Sequence, residues 1–434
     1  MIRGCWLGLV ALLSLTACSV SRGLDKQIDR QPLYQADFSG FYVAEAASGK
    51  ELYARDADRL YTPASNVKLL TLATCLAWLP QDSLPALAYR ADGDTLRLWA
   101  VAYPLLAGDE APYNDRIRRA IAEWPGPVEF NMHGYRSLPR FGEGWMWDDY
   151  QYPFARERSG LPVYRNLLRV IGSEELGQSE LPARPSFLVV RRSDHQNRRP
   201  ITRNETGNRF YVRSDLAVGD TLYAPLFGVR SLATQLLEDW TGRSVRYHNM
   251  PLPSDWGAQT FKGLPRDSLL RQMMLPSDNF LAEHLLLQAG LYHSSTTDEQ
   301  AVRQEARRAV LKLTEQELRW ADGSGISHYN LASPRALGKL LLELYASYPK
   351  STWQSLLPAG GESGTLRDFY QPNGAPYVYA KTGTLRHNHN LSGFLLADSG
   401  KWLVFSIMNN HYAESSRDYK AAMETTLLEL KRRF

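Results

Sequence analysis

Apolar positions recur along this 434-residue chain in two different periods. From Ser65 onward the run NVKLLTLATCLAWL contains no Gly or Pro before Pro80. Leu69, Leu72, Leu76 and Leu79 fall three or four apart within it, which predicts a core helix. Thr62 and Pro63 supply its start signals. Two further helical runs, RDSLLRQMML and FLAEHLLLQAG, stand on either side of Pro276. Towards the C-terminus the pattern changes to strands. Tyr377, Val378 and Tyr379 read as one strand, and LSGFLLA and WLVFSIM flank the turn Asp398-Ser399-Gly400 as a hairpin.

The first apolar run, from Cys5 to Leu15, is different in kind. It follows Arg3, ends in small residues and falls short of the roughly 20 apolar residues a membrane span needs, so it reads as a secretory signal over residues 1–17. Leu15-Thr16-Ala17-Cys18 resembles a bacterial lipobox, in which the cysteine is lipidated. That predicts an exported lipoprotein held on the periplasmic side of the envelope through Cys18. Cys5 would leave with the signal, so Cys75 stands alone in its apolar helix. It reads as a small buried hydrophobe and not as part of a disulfide framework.

Composition is ordinary for a globular protein, with 44% hydrophobic and 22% charged residues, and the length suits two domains or one domain with a large insert. Fifty basic residues nearly balance 46 acidic ones, so no nucleic-acid partner is expected.

Candidate chemistry begins at Ser65 and Lys68. Chance gives a chain of this length about one or two S-x-x-K matches, and this one has a second, Ser347 to Lys350. Context separates them. Ser65 and Lys68 lie one turn apart on one face of the predicted helix, with the serine in its first turn. Free backbone N–H groups and the positive helix end favour a developing anion there. Pro349 interrupts the other match and breaks the helix it requires. A lysine titrates near ~10.4 when unperturbed, and burial or a nearby cation lowers that. A Ser–Lys pair therefore asks for a second lysine elsewhere.

Two motifs answer. Ser277-Asp278-Asn279 is the sole S-x-N in the chain and sits between the two helical runs, where a helix N-cap is the plain alternative. Lys381-Thr382-Gly383-Thr384 holds the sole K-T-G, on a strand. Gly383 in a strand interior suggests a close approach to the backbone.

In this order the three motifs resemble the serine penicillin-recognising enzymes. Ser277 lies 212 residues after Ser65, far more than a class A β-lactamase allows, and Lys381 lies 104 after Ser277. Such an insert resembles the low-molecular-mass class C penicillin-binding proteins, the D-alanyl-D-alanine carboxypeptidase/endopeptidase family. DGSGIS from Asp322, GESGTLRD from Gly361 and GWMWDDYQYPFA from Gly144 resemble segments of that family. The chain departs from it at His328, where Arg is frequent, at the polar stretch Leu385 to His389, and at LLAGDEAP, where a glycine-rich turn is reduced.

The resemblance implies an α+β fold. Its catalytic domain would be a five-stranded antiparallel sheet flanked by helices plus an all-helical lobe, at residues 31–85 and 263–434. A large, mainly β insert would span 86–262, and a tether 18–30. It implies a Ser65 nucleophile, Lys68 as its base, Lys381 as the neighbouring cation, Ser277 as proton relay and Asn279 as substrate positioner. Thr382, Gly383 and Thr384 would meet the substrate carboxylate and peptide. Asp148, Asp149, Tyr152 and His328 are candidates for the peptide side chain. Trp145 and Trp147 read as packing residues. No cofactor is implied, and His387 and His389, without Cys or acidic neighbours, do not read as metal ligands. The expected substrates are peptidoglycan peptides ending in D-alanine, with β-lactams as inhibitors. Alternatives are a β-lactamase-like hydrolase and a catalytically inactive wall-binding protein.

Overall fold

The computed structural model describes residues 24–434 except 27, 37, 108–110, 136, 173–177, 180–188, 194–198, 372 and 373. The signal segment and Cys18 lie outside the described residues. Among those described, no helix is long and apolar enough to cross a membrane. The chain divides into two compact units, residues 1–73, 274–277 and 307–434 in the first and 74–273 and 278–306 in the second.

The first unit is built on a five-stranded antiparallel sheet, formed by β1 (Phe38–Glu45), β2 (Glu51–Arg55), β3 (Val378–Leu385), β4 (Asn388–Leu396) and β5 (Trp402–Asn410). Its order is β3-β4-β5-β1-β2. β4 and β5 are buried along nearly their whole length, the pattern of strands covered on both faces. Phe405 and Ile407 of β5 share a core with Met423 and Leu427 from the C-terminal helix Ser416–Arg433. Tyr42 and Ala44 of β1 belong to a second cluster with Ala57, against which Leu342 of helix Pro334–Ser347 packs. The predicted hairpin is present as β4 and β5.

The tether predicted for residues 18–30 is shortened by this core. Leu24 and Ile28 are buried in it, Asp25 accepts from Tyr53 Oη at 2.8 Å, and Asp29 pairs with Arg55 at 2.8 Å. Apolar residues four apart on a short helical stretch give this segment a face to bury.

The second unit takes more of the chain than the predicted 86–262 insert. Helix Arg266–Met274 joins it because Arg266 donates to Leu76 O and Leu79 O. The helix Asn279–Ser294 joins it because Gln288 donates to Pro85 O and Val101 O. The unit is rich in strands, as expected. Its largest sheet runs Val245–His248, Val128–Asn131, Thr95–Trp99, Ser83–Asp92, Thr260–Pro265, with parallel pairing on both sides of Val128–Asn131. Among the described residues the insert also holds two three-stranded sheets and the helices Pro112–Ala122 and Val229–Thr241.

Candidate active site

The segment leading to Ser65 is a tight 3-10 turn, Ala64–Val67, that runs into the helix Lys68–Trp78. Ser65 thus precedes the α-helix by one short turn and does not sit within it. Leu69, Leu72, Leu76 and Leu79 are buried as their spacing predicts, and Cys75 is fully buried, which pushes its thiol up. The decoy pair falls apart as the proline requires: Ser347 ends one helix and Lys350 begins another.

Ala64 holds a φ of 49°, left-handed backbone that a non-glycine residue adopts at a cost of about 1–3 kcal/mol. Packing on both sides imposes it. A Cβ on Gly325 would fall 2.0 Å from Ala64 O, and one on Gly383 would fall 2.2 Å from Pro63 O. The close approach that Gly383 predicts is therefore made by the protein's own nucleophile turn. Buried asparagines of the sheet fasten the same turn. Asn410 accepts from Thr62 N at 2.6 Å, and Asn390 donates to Thr62 O at 2.9 Å.

Lys68 is fully buried, and its Nζ donates to Ser65 Oγ at 3.0 Å and to Ser324 O at 2.6 Å. Ser324 belongs to the DGSGIS loop, which Asp322 ties together. Its carboxylate accepts from Gly325 N and Ser327 N, each at 2.7 Å, and from Asn330 Nδ2 at 2.8 Å. That loop's carbonyl as an acceptor for Lys68 was not foreseen, because carbonyl direction depends on turn geometry that residue types leave open.

Lys381 is the second buried amine, and its Nζ donates to Thr382 O at 2.8 Å. Burial first, and the Lys68 charge second, hold its pKa well below the usual lysine range. Lys381 is thus the neighbouring cation that the Ser65–Lys68 pair asks for, and the two amines titrate as a coupled pair.

β3 is an edge strand whose outer side, among the described residues, pairs with Pro358–Gly360 as far as Ala380. Ala380 N donates to Pro358 O at 3.0 Å and Gly360 N donates to Val378 O at 2.9 Å. Alternation along the strand then points the N–H groups of Thr382 and Thr384 outward. Thr382 Oγ1 donates to Thr365 Oγ1 at 2.8 Å, within the G-T-L turn of the GESGTLRD segment. A Cβ on Gly364 of that turn would fall 2.7 Å from Leu275 O, so the short segment carrying Ser277 packs against it. Ser277 itself sits at φ 61°, left-handed like Ala64 beside Ser65.

Asp278 is the N-cap of the helix Asn279–Ser294, accepting from Leu281 N at 3.0 Å. The plain reading of S-x-N thus holds for its middle residue. Two arginines that sequence reasoning missed, Arg156 at 3.2 Å and Arg165 at 2.7 Å, clamp its carboxylate. Tyr164, Arg165 and Asn166 run consecutively at φ near 55°, a left-handed turn that carries Arg165. Asn279 lies in the second unit, and its Nδ2 donates to Phe154 O at 3.1 Å.

The side-chain candidates Asp148 and Asp149 lie on the second unit's 3-10 turn Trp147–Gln151, and Tyr152 follows it. The Arg199 guanidinium covers the Tyr152 ring, 3.5 Å from its centroid. Trp147 is 75% exposed, so it is not the packing residue it was expected to be. The arginine guanidinium of Arg158 lies over Trp145, which does pack. His328 is exposed at the end of the DGSGIS loop. His387 Nδ1 donates to Tyr412 O at 2.8 Å, and His389 Nδ1 lies 2.8 Å from Thr384 Oγ1.

An antiparallel sheet with S-x-x-K leading into a buried helix and K-T-G on its edge strand defines the class of penicillin-recognising serine enzymes. The family model for D-Ala-D-Ala carboxypeptidase 3 (S13) matches residues 20–93 and 248–430, and the chain belongs to this family of serine DD-peptidases, the low-molecular-mass class C penicillin-binding proteins. The chain is 26% identical over 428 residues to the D-alanyl-D-alanine carboxypeptidase of Actinomadura sp. strain R39, covering 88% of this chain and 79% of that one. It is 27% identical over 164 residues to the D-alanyl-D-alanine carboxypeptidase DacB of Haemophilus influenzae, 36% of this chain and 34% of that one. The crystal structure of penicillin binding protein 4 (dacB) from H. influenzae shares the fold. It matches with a TM-score of 0.71 at 19% identity, over 94% of this chain and 98% of that one.

Proposed function

We propose that Ser65 is the nucleophile of a DD-peptidase that acts on peptidoglycan stem peptides. The contact that carries this reading is Lys68 Nζ to Ser65 Oγ, 3.0 Å, beside a second fully buried amine. Two buried cations repel, so the pair gives up one proton more readily than isolated lysines do. A substrate carboxylate near Lys381 favours the charged form there. The like charge then keeps Lys68 neutral, the form that can take a proton.

Ser65 Oγ would bond to the carbonyl carbon of the penultimate D-alanine while its proton passes to Lys68. The backbone N–H groups of Ser65 and Thr384 would hold the oxyanion. The C–N bond breaks, the proton reaches the leaving amine through Ser277, and D-alanine departs. Water then hydrolyses the Ser65 ester. Asn279 would hold the substrate amide in line, and the peptide would lie along the open edge of β3 from Lys381 onward. Thr382 and Thr384 would meet the terminal carboxylate. Asp148, Asp149, Tyr152 and His328 would contact the stem-peptide side chain.

Digestion of defined muropeptides, with products weighed by mass spectrometry, tests the reading. Release of one D-alanine from a pentapeptide, or cleavage of a D-Ala crosslink, supports it and apportions the two activities. No product together with no covalent penicillin adduct would leave an inactive wall-binding protein. Steady hydrolysis of a β-lactam without muropeptide cleavage would favour the β-lactamase-like alternative.

We also propose that Cys18 carries lipid and holds the enzyme on the periplasmic side of the envelope. The support is the LTAC sequence behind a short apolar run. Cys18→Ala should move the protein from the membrane to the soluble fraction. Unchanged sedimentation with membranes would rule out the lipid as its anchor.

A further inference from the structure

Thr384 and His389 face each other directly across β3 and β4, and Thr384 Oγ1 lies 2.8 Å from His389 Nδ1. One hydrogen sits between these atoms, and its owner decides what Thr384 can offer a ligand. If the hydroxyl donates to the ring, its proton is spent and only lone pairs face outward. If the ring donates, the hydroxyl keeps its proton for something else.

The far side of the ring discriminates between the two. His389 is 1% exposed, and its Nε2 is buried with no hydrogen-bond partner. A proton on Nε2 would be a buried N–H without an acceptor, whereas a bare ring nitrogen is only an unused acceptor. Orphaned N–H groups are the rarer of the two in folded proteins. A doubly protonated ring would suffer the same orphaned N–H. Burial, with Lys420 and Lys381 nearby, also pushes the ring's pKa down to about 3. The neutral ring therefore carries its hydrogen on Nδ1.

The main chain that carries the ring is held within the sheet. His389 is paired in register with Asn409 of β5, and its carbonyl accepts from Asn409 Nδ2 at 3.1 Å. Asn409 in turn accepts from Ser39 Oγ of β1 at 2.8 Å. The histidine's main chain is thus tied to β5 and, through Asn409, to β1, while Thr384 on the edge strand is exposed.

We infer that His389 is a positioning residue for ligand binding: its Nδ1–H donates to Thr384 Oγ, which turns the threonine's own O–H outward as a donor to a carboxylate. The inference rests on the proposal that Thr384 meets the terminal carboxylate. It adds a specificity determinant on β4, outside the three motifs.

The test combines spectroscopy with a mutant cycle. In the wild-type protein, nitrogen-15 NMR of the imidazole should show His389 with Nδ1 protonated through neutral pH, and an Nε2–H tautomer overturns the inference. For a diacylated tripeptide ending in D-Ala-D-Ala, His389→Leu should raise KM about ten-fold with kcat little changed. His389→Asn, whose side-chain amide N–H can reach the same hydroxyl, should recover most of that loss.

Thr384→Val should raise KM comparably, and adding His389→Leu to it should do nothing further. If Thr384→Val raises KM but His389→Leu does not, the positioning role is refuted and the carboxylate reading survives. If Thr384→Val is silent, the carboxylate reading at Thr384 fails and the inference falls with it. Equal damage from His389→Leu and His389→Asn, with lowered melting temperatures, would mean the histidine serves packing alone.

Discussion

A Ser65→Ala enzyme is expected to lose covalent labelling by fluorescent penicillin completely while melting within a few degrees of wild type. The hydroxyl is the one atom that can form the acyl bond, so turnover should fall by about 10⁴-fold or more. Stability should barely change, because the variant forfeits one hydrogen bond, worth about 1 kcal/mol, and Lys68 keeps the Ser324 carbonyl. The turn itself is held by Gly325, Gly383 and the Asn390–Asn410 contacts to Thr62, none of which involves Oγ. Stoichiometric labelling of the alanine variant would move the nucleophile to another residue.

The second large effect is expected from Lys68→Arg. Guanidinium cannot give up its proton in a protein, so this change keeps a positive charge and removes the base. Acylation should slow by about 10²–10⁴-fold, the usual span for losing a general base. The pH profile supplies an independent check. In the wild type, acylation should rise with pH through the apparent pKa of the amine pair, since the form short of one proton is the reactive one. That pKa should lie below the ordinary lysine value because burial and mutual repulsion disfavour the doubly charged pair. Lys68→Arg should lose this rising limb. Near-normal acylation by the arginine variant, measured in stopped flow, would remove Lys68 from the base role.

Much of the site was legible because its parts are short in sequence and periodic in context. The leucine spacing after Ser65 marks a core helix, and the chain is buried on every side from Lys68 to Leu76. With Ser65 and Lys68 one turn apart, that is enough to predict their meeting. The β4–β5 hairpin was equally plain, since its two strands are apolar runs around a Ser-Gly turn. What stayed hidden depends on tertiary packing. No pattern in Arg156 and Arg165 says that both reach Asp278, because a left-handed run at Tyr164–Asn166 is invisible to residue preferences. Nor does residue type reveal that Leu24 and Ile28, between the proposed lipid site and β1, are part of a core and not slack chain. The limits of the insert were missed for the same reason. Arg266 and Gln288 tie their helices to it through carbonyls far away in sequence.

The paired glycines beside the nucleophile turn bear on how such an enzyme can change under drug selection. Because Gly325 and Gly383 work by having nothing where other residues carry a side chain, no graded substitution is open at either one. Any added carbon meets main chain at about 2 Å, which has no flexible end to swing aside. Adaptive variation has to accumulate in residues that border this inner pair without touching it, and a graft of the Ser–Lys couple into another scaffold must import both empty spaces with it.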